Sequence, residues 1–309
     1  GKVRARPDIA VFISPDLRNL FAIIGYHLLA RNRRTTVLFY YTPANRSLRR
    51  VWKGLKAFGM MKRLVLTAEQ PVLAREIERI QDVACTTLRI PHSRLLDFVA
   101  GEGSEHAGGD GVLTGAFFGK DRPDKGLDVL AAALAILSER GEAEGLRFRI
   151  QCSGARFERI VEAAKAKGPA TPEWIERIEQ DLGFAEYCRR MGSADFVVLP
   201  YRGEPYRYRG SWVALEAAIL GRPIIATEGT AFSALRDQYR SWIAFRDGDA
   251  EELARSIGEL RDDYETYRRR AAEDADTVRK MYSRGRFLEQ LNEIRRGDGL
   301  ETRLTPGKK

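Results

Sequence analysis

Two segments of this chain bring phosphate-binding residue types to the junction of a strand and a helix. Residues 201–227, YRGEPYRYRGSWVALEAAILGRPIIAT, run from a loop rich in Gly, Arg and Tyr into a small-residue helix with one carboxylate, Glu216. A buried-type strand, ADFVVLPY, precedes the loop, and another, PIIAT, follows a helix stop at Gly221. Strand, polar loop, helix N-terminus and strand is the layout of a phosphate or sugar-phosphate site at the carboxyl edge of a parallel sheet. An acid on the first turns of such a helix reaches a ribose or sugar hydroxyl. The second segment, FFGKDRPDKGLDVL at 117–130, sets Lys120, Arg122 and Lys125 between a strand and a helix. Three cations beside a helix N-terminus suit a diphosphate. The segment is not a P-loop: Gly115 to Gly119 is one residue short of GxxxxGK, and Asp121 stands where Ser or Thr should follow the lysine.

Other candidates carry less. Asp247-Gly248-Asp249 has the DxD spacing that holds a divalent metal in one class of glycosyltransferase, but its place before DAEELARSI suits a turn and a helix N-cap. Asp274 and Asp276 repeat the spacing inside a charged helix and read as solvated. His27 sits in an apolar helical run and reads as packed. His92 follows a strand end, where it can line a cleft, and His106 belongs to no motif. Cys85, Cys152 and Cys188 are far apart, with no CxxC and no neighbouring His, which fits three buried thiols in a reducing compartment. No nucleophile elbow, HExxH or kinase signature occurs.

The elements that must position these residues alternate. In the first third, PDIAVFIS, TTVLFYYTP, KRLVLTA and CTTLRIPH read as strands, separated by the helical runs LRNLFAIIGYHLLARN, SLRRVWKGLKAF and PVLAREIERIQ. Near-continuously apolar strands between helices imply parallel sheets covered on both faces. The Gly-rich stretch 100–111, AGEGSEHAGGDG, is the best linker. Beyond it come the strand GVLTGAFFG, the helix GLDVLAAALAILSERG, the strand LRFRIQCSG and helices at TPEWIERIEQDL and FAEYCRRMGSA. After ADFVVLPY, the Glu216 helix and PIIAT, the chain closes with DAEELARSIGEL and one long charged helix from about Asp262 to Arg296. Length suggests two domains, and no apolar run approaches a membrane span. The opening GKVRARPD lacks the apolar stretch of a signal peptide, and a first residue of Gly reads as a fragment or an internal start. Charge is uneven. Residues 1–100 hold 18 Lys and Arg against 7 Asp and Glu, whereas the whole chain carries +9, so the excess belongs to the first third. In residues 46–58, Arg46, Arg49, Arg50, Lys53 and Lys56 fall on one helical face, and Leu48, Val51, Trp52, Leu55 and Phe58 on the other. That pattern suits either an anionic membrane surface or a helix whose apolar stripe covers the sheet. No nucleic-acid motif accompanies the basic residues.

The order of these motifs resembles the retaining GT-B glycosyltransferases of family 4, the glycosyl transferases group 1 set. FGKDRPDKGLDVLAAALAIL is similar to their GRxxxxKGxxxL phosphate loop and ADFVVLPY to their ADxxxxPS strand. SWVALEAAILGRPIIAT is similar to GxxxxEAxAxGxPVVAT, and RDGDAEELARSIGEL to GDxxxLAxAIxxL. The resemblance implies two Rossmann-like lobes facing across a cleft in an α/β fold, with an incomplete N-terminal lobe. The implied domains are an acceptor lobe at 1–107, a donor lobe at 108–280 and a C-terminal helix and tail at 281–309 that cross back to the first lobe. By position, Arg122 and Lys125 would hold the donor diphosphate, with Lys120 a rival to Arg122, and Glu216 would bind the ribose. The amides of Gly210, Ser211 and Trp212 would meet the distal phosphate or the sugar. Tyr208 stands where the family's E-x7-E pair has its first acid, and Glu204 would substitute only from a rearranged loop. PDIAVFISPD resembles the N-lobe strand that often ends in a catalytic His. Ser14 takes that place, with Asp16 close by.

The expected activity is therefore a retaining, metal-independent glycosyltransferase without a cofactor. It would move a sugar from a nucleoside diphosphate donor to a glycan or lipid-linked acceptor, as in polysaccharide biosynthesis. It would be cytoplasmic, peripheral on the inner membrane face through the basic first third, and without a nucleic-acid partner. The alternatives are a non-catalytic nucleotide-sugar or glycan-binding protein and a nucleotide-sugar epimerase of the same architecture.

Overall fold

The structure is a computed structural model; it describes residues 9–13, 17–29, 35–43, 46, 48–57, 59, 61, 63–102, 111–119, 122–164, 174–178 and 181–297. The chain divides into two compact units. One comprises Gly1–Pro91, Tyr208–Gly210 and Met281–Lys309, the other His92–Arg207 and Ser211–Lys280.

The first unit alternates β1 (Ile9–Ile13), α1 (Leu17–Leu29), β2 (Thr35–Tyr40), α2 (Leu48–Ala57), β3 (Leu64–Ala68), α3 (Pro71–Gln81) and β4 (Cys85–Thr87). The four strands form one parallel sheet in sequence order. Both faces are covered, because alternate residues of a strand point to opposite sides. Leu38, Tyr40, Leu64, Leu66 and Ala68 pack with Leu20 and Ile23 of α1, Trp52 of α2 and Leu73 and Ile77 of α3. Val37, Phe39 and Val65 pack with Leu291 and Ile294 on the other side. Those two residues lie on the last helix of the chain, Arg284–Arg296, which belongs to this unit.

The second unit runs α4 (Ser93–Glu102), β5 (Leu113–Phe117), α5 (Leu127–Arg140), β6 (Leu146–Gln151), α6 (Gly154–Ala164), β7 (Ile175–Ile178), α7 (Phe184–Gly192), β8 (Phe196–Leu199), α8 (Gly203–Tyr206), α9 (Trp212–Ile219), β9 (Ile224–Thr227), β10 (Trp242–Phe245), α10 (Ala250–Asp262) and α11 (Tyr264–Met281). The last helix, Arg284–Arg296, is α12. Six parallel strands form a sheet in the order β10-β9-β8-β5-β6-β7. The order reverses between β5 and β8, the topological switch point where open α/β sheets bind ligands beyond the strand carboxyl ends.

Four expectations change. The segment TPEWIERIEQDL is not a helix among its described residues: β7 occupies Ile175–Ile178 and pairs with β6. Ile175 and Ile178 are buried while Glu176 and Arg177 face out, and Arg149 faces Glu176 across the pair, with an ion pair of 3.2 Å. The helix in this region is α6, over GARFERIVEAA. Next, the chain passes from one unit to the other at Pro91/His92, not at 107/108. Helix α4 runs to Glu102, into the stretch read as linker, because its side chains pack in the second unit: Phe98 meets Phe184 edge-on at 6.3 Å and the Arg94 guanidinium lies 3.9 Å from the Phe184 ring centre. Finally, the long terminal helix is two helices. Ser283 breaks it, its Oγ accepting the Arg286 amide at 3.1 Å as the N-cap of α12.

Candidate functional site at the switch point

Two loops leave the sheet at the switch point, one after β5 and one after β8. The first turns tightly through Pro123–Lys125 and enters α5 at Gly126. Gly126 has φ 65° and lies against the Pro200 carbonyl, so a side chain has neither the backbone conformation nor the room. This turn folds Lys125 inward to 7 % exposure. Its Nζ donates to the Tyr201 hydroxyl at 2.9 Å, and Tyr201 in turn hydrogen-bonds Ser211. Ser211 caps α9, its Oγ accepting the Ala214 amide at 3.2 Å. A lysine, a tyrosine and a helix N-cap from three chain segments thus meet in one chain of contacts. Arg122 is half out in solvent; its Nη2 donates to the Tyr206 hydroxyl at 2.7 Å and its Nε pairs with Asp124 at 3.1 Å.

Burial, and then the Arg122 charge, lower the Lys125 pKa to about 8; Asp124 and Glu216 oppose the shift. An ammonium held out of water at that cost is poised for an anion. The first-turn amides of α9 have no acceptor within the helix, and the helix dipole favours negative charge there. Lys125 and the α9 N-terminus together can hold a diphosphate. The Gly119 amide, by contrast, is already used: it donates to Gln151 Oε1 at 2.7 Å.

Glu216 lies one turn into α9 with both oxygens held. His92 Nε2 donates to Oε1 at 3.0 Å, and the Tyr187 hydroxyl donates to Oε2 at 2.6 Å. Burial and the Glu216 charge push the Tyr187 phenol well up, so it stays a donor. With one donor on each oxygen the carboxylate is held in place, and each oxygen keeps a second in-plane lone pair that can accept from a further hydroxyl. Trp212 is 40 % exposed and stands edge-on to the His92 ring at 5.0 Å. Its exposed face is suited to a base or sugar ring.

The structure therefore brings Arg122, Lys125, Ser211, Trp212 and Glu216 into one unit. Tyr208 and Gly210 fall in the other, where Tyr208 packs against the core beneath α1–α3. Glu204 is exposed on α8 beside Arg207. Ser14, Asp16, Lys120 and His106 lie outside the described residues. The sequence reading missed Tyr187, Tyr201 and Tyr206 and gave His92 no partner; only the chain fold brings these groups to Glu216, Lys125 and Arg122. Asp249 caps α10 through the Glu252 amide at 2.9 Å, and Asp247 accepts the Gly203 amide at 2.9 Å. His27 is buried with Nδ1 2.9 Å from the Thr36 hydroxyl. All three cysteines are buried, and none is in a disulfide among the described residues. Among the described residues no helix is long and apolar enough to cross a membrane, and no group of three or more metal-ligating side chains occurs. On α2, Arg49, Arg50, Lys53 and Lys56 are exposed, as is Arg46 just before it, and none forms an ion pair with a described residue.

No curated protein sequence matches the chain. Among solved structures, the Anabaena protein Alr3699/HepE in complex with UDP and glucose is similar over 92 % of this chain and 76 % of its own, with 13 % identity and TM-score 0.60. Sucrose-phosphate synthase from Thermosynechococcus elongatus is similar over 94 % and 73 %, with 15 % identity and TM-score 0.62. A glycosyltransferase from Rickettsia africae is similar over 96 % and 77 %, with 13 % identity and TM-score 0.65. These likenesses show the GT-B fold, with its two Rossmann-like lobes. The model of the family "Glycosyl transferases group 1" matches residues 113–263, the stretch that contains both switch-point loops. Residues 113–263 are thus similar to the glycosyl transferases group 1 family, and the chain that carries them has the GT-B fold.

Proposed function

We propose that the protein is a retaining glycosyltransferase that takes its sugar from a nucleoside diphosphate donor. One observation supports this best: at the β5/β8 switch point a buried lysine, a capped helix N-terminus and a doubly anchored glutamate meet in one unit. Lys125, Arg122 and the first amides of α9 neutralise the diphosphate. Its charge grows as the sugar departs, so these groups act more strongly in the transition state than in the ground state. Glu216 accepts the ribose hydroxyls. The side chains named here carry the leaving-group charge without a cofactor or a metal ion, and no side chain is assigned as nucleophile. The sugar passes to a glycan or lipid-linked hydroxyl. The cations of α2 form the surface through which the protein meets an anionic membrane.

A non-catalytic nucleotide-sugar binder is the second reading, and Tyr208 favours it by standing in place of the family's first acid. Thermal-shift measurements with UDP-, GDP- and ADP-sugars, paired with transfer or hydrolysis assays, separate the two. A true donor at a hundred times its Kd stabilises the fold by about 2.7 kcal/mol, and Lys125→Ala and Glu216→Ala each remove the shift. If both variants keep donor affinity and turnover, the assignment is wrong; binding without turnover selects the second reading.

A further inference from the structure

The first unit contains a polar cluster that the donor reading does not use. Three adjacent parallel strands release their carboxyl ends side by side, and the residues just beyond are Tyr41 after β2, Glu69 after β3 and Arg89 after β4. Tyr282, immediately before α12, hydrogen-bonds Arg89, and its phenol feels the Glu69 charge, as does that of Tyr41. Gly210 closes the cluster: a Cβ there would lie 2.6 Å from Glu69 Oε2 and 2.8 Å from Gln70 Nε2. Only a residue without a side chain allows so close an approach to the carboxylate.

Glu69 is the odd member. It is half-buried, no described residue donates a hydrogen bond to its carboxylate, and burial raises its pKa to about 7, with no cation among the described residues offsetting it. Arg89, the cation of the cluster, turns to Tyr282 and offers its amide to Gln290 Oε1 at 3.2 Å. An acid desolvated without a partner is a standing cost to the fold. Such groups mark sites where a ligand supplies the missing bonds.

We propose that Glu69, flanked by Tyr41, Tyr282 and Gly210, binds hydroxyl groups of a saccharide or polyol, and that this ligand is the acceptor. An anionic ligand is disfavoured by the carboxylate itself. A neutral polyol fits: a carboxyl group near its pKa both donates and accepts hydrogen bonds, and the tyrosines offer hydroxyls and ring faces. The identification of the ligand as acceptor rests on the glycosyl-transfer reading above; the binding of a saccharide does not.

The test titrates the full chain, without nucleotide, with methyl glucopyranoside, methyl mannopyranoside, methyl galactopyranoside and glycerol, followed by NMR. At least one should bind the wild type. Glu69→Leu and Glu69→Ala should weaken it about tenfold or more, whereas Glu69→Gln, which keeps a donor and an acceptor, should stay within a few-fold. UDP binding serves as the control for folding and should be unchanged in all three. Saccharide affinity equal to wild type in Glu69→Leu or Glu69→Ala, or a wild type that binds none of the four probes, overturns the proposal. Because no donor is present, failure of the nucleotide-sugar experiments leaves this result readable.

Discussion

Replacing Lys125 with Met should make the empty protein more stable and the donor site useless. The ammonium is 7 % exposed, and its pKa falls from 10.5 to about 8, chiefly through burial. A base whose pKa is lowered on folding destabilises the fold wherever the unfolded chain is protonated. The penalty is complete below pH 8 and fades as pH rises towards 10.5. Linkage puts it at about 3 kcal/mol at pH 7 and under about 1 kcal/mol at pH 10. The Tyr201 hydroxyl keeps its bond to Ser211 in the variant, so little of the gain is lost to an orphaned phenol. Urea denaturation of wild type and Lys125→Met at both pH values measures the difference directly, because other titrating groups cancel between the two proteins. The stability gap should shrink by about 2 kcal/mol between pH 7 and pH 10. Isothermal titration at pH 8 in buffers of different ionisation enthalpy should also show UDP binding to the wild type with uptake of a fraction of a proton, and no comparable uptake in the variant. A stability gap that does not change with pH would refute the claim that a buried ammonium faces the diphosphate.

Two further predictions bear on the ends of the ligand and on the surface. Tyr187→Phe removes one of the two anchors of Glu216. It should weaken UDP about tenfold, about 1.4 kcal/mol, while leaving inorganic pyrophosphate unaffected; equal weakening of both by calorimetry would show that Glu216 does not serve the ribose. Vesicles containing anionic lipid should sediment the protein at low salt and release it at high salt, and reversing Arg49, Arg50 and Lys53 to Glu should abolish sedimentation; indifference to lipid charge and salt would remove the membrane from the list of partners.

The parallel sheets were legible because their strands are buried on both sides and so write themselves as apolar runs: TTVLFY, FVVL and IIAT are buried along their whole lengths. β7 was not, because IERI at a sheet edge is exposed at its two middle residues and has the charge content of a helix. Local chemistry marked Lys125, Arg122 and Glu216, since cations and an acid beside a helix start are a short-range signal. Their partners were invisible for the opposite reason. Tyr187 lies 29 residues from Glu216, His92 124 residues, and Tyr201 76 residues from Lys125. A tyrosine in a helix such as FAEYCRRMG looks like any amphipathic tyrosine until the fold gives it a carboxylate. Glu69 escaped notice for the same reason, because only its burial beside Gly210 sets it apart from other strand-end acids.

The two switch-point loops also share their mechanics. The Arg202 amide donates to the Asp124 carbonyl at 2.9 Å, the Arg202 guanidinium pairs with Asp128, and Gly126 sits against Pro200. Residues 124–128 are therefore tied directly to residues 200–202. Contacts that hold these two stretches together before a ligand arrives lower the entropic cost of ordering them on binding. Mutational tolerance should be shared as well. A substitution that shifts one loop misplaces residues on the other, so adaptation of this site to a new donor would require paired changes, and single-site libraries would find few improvements.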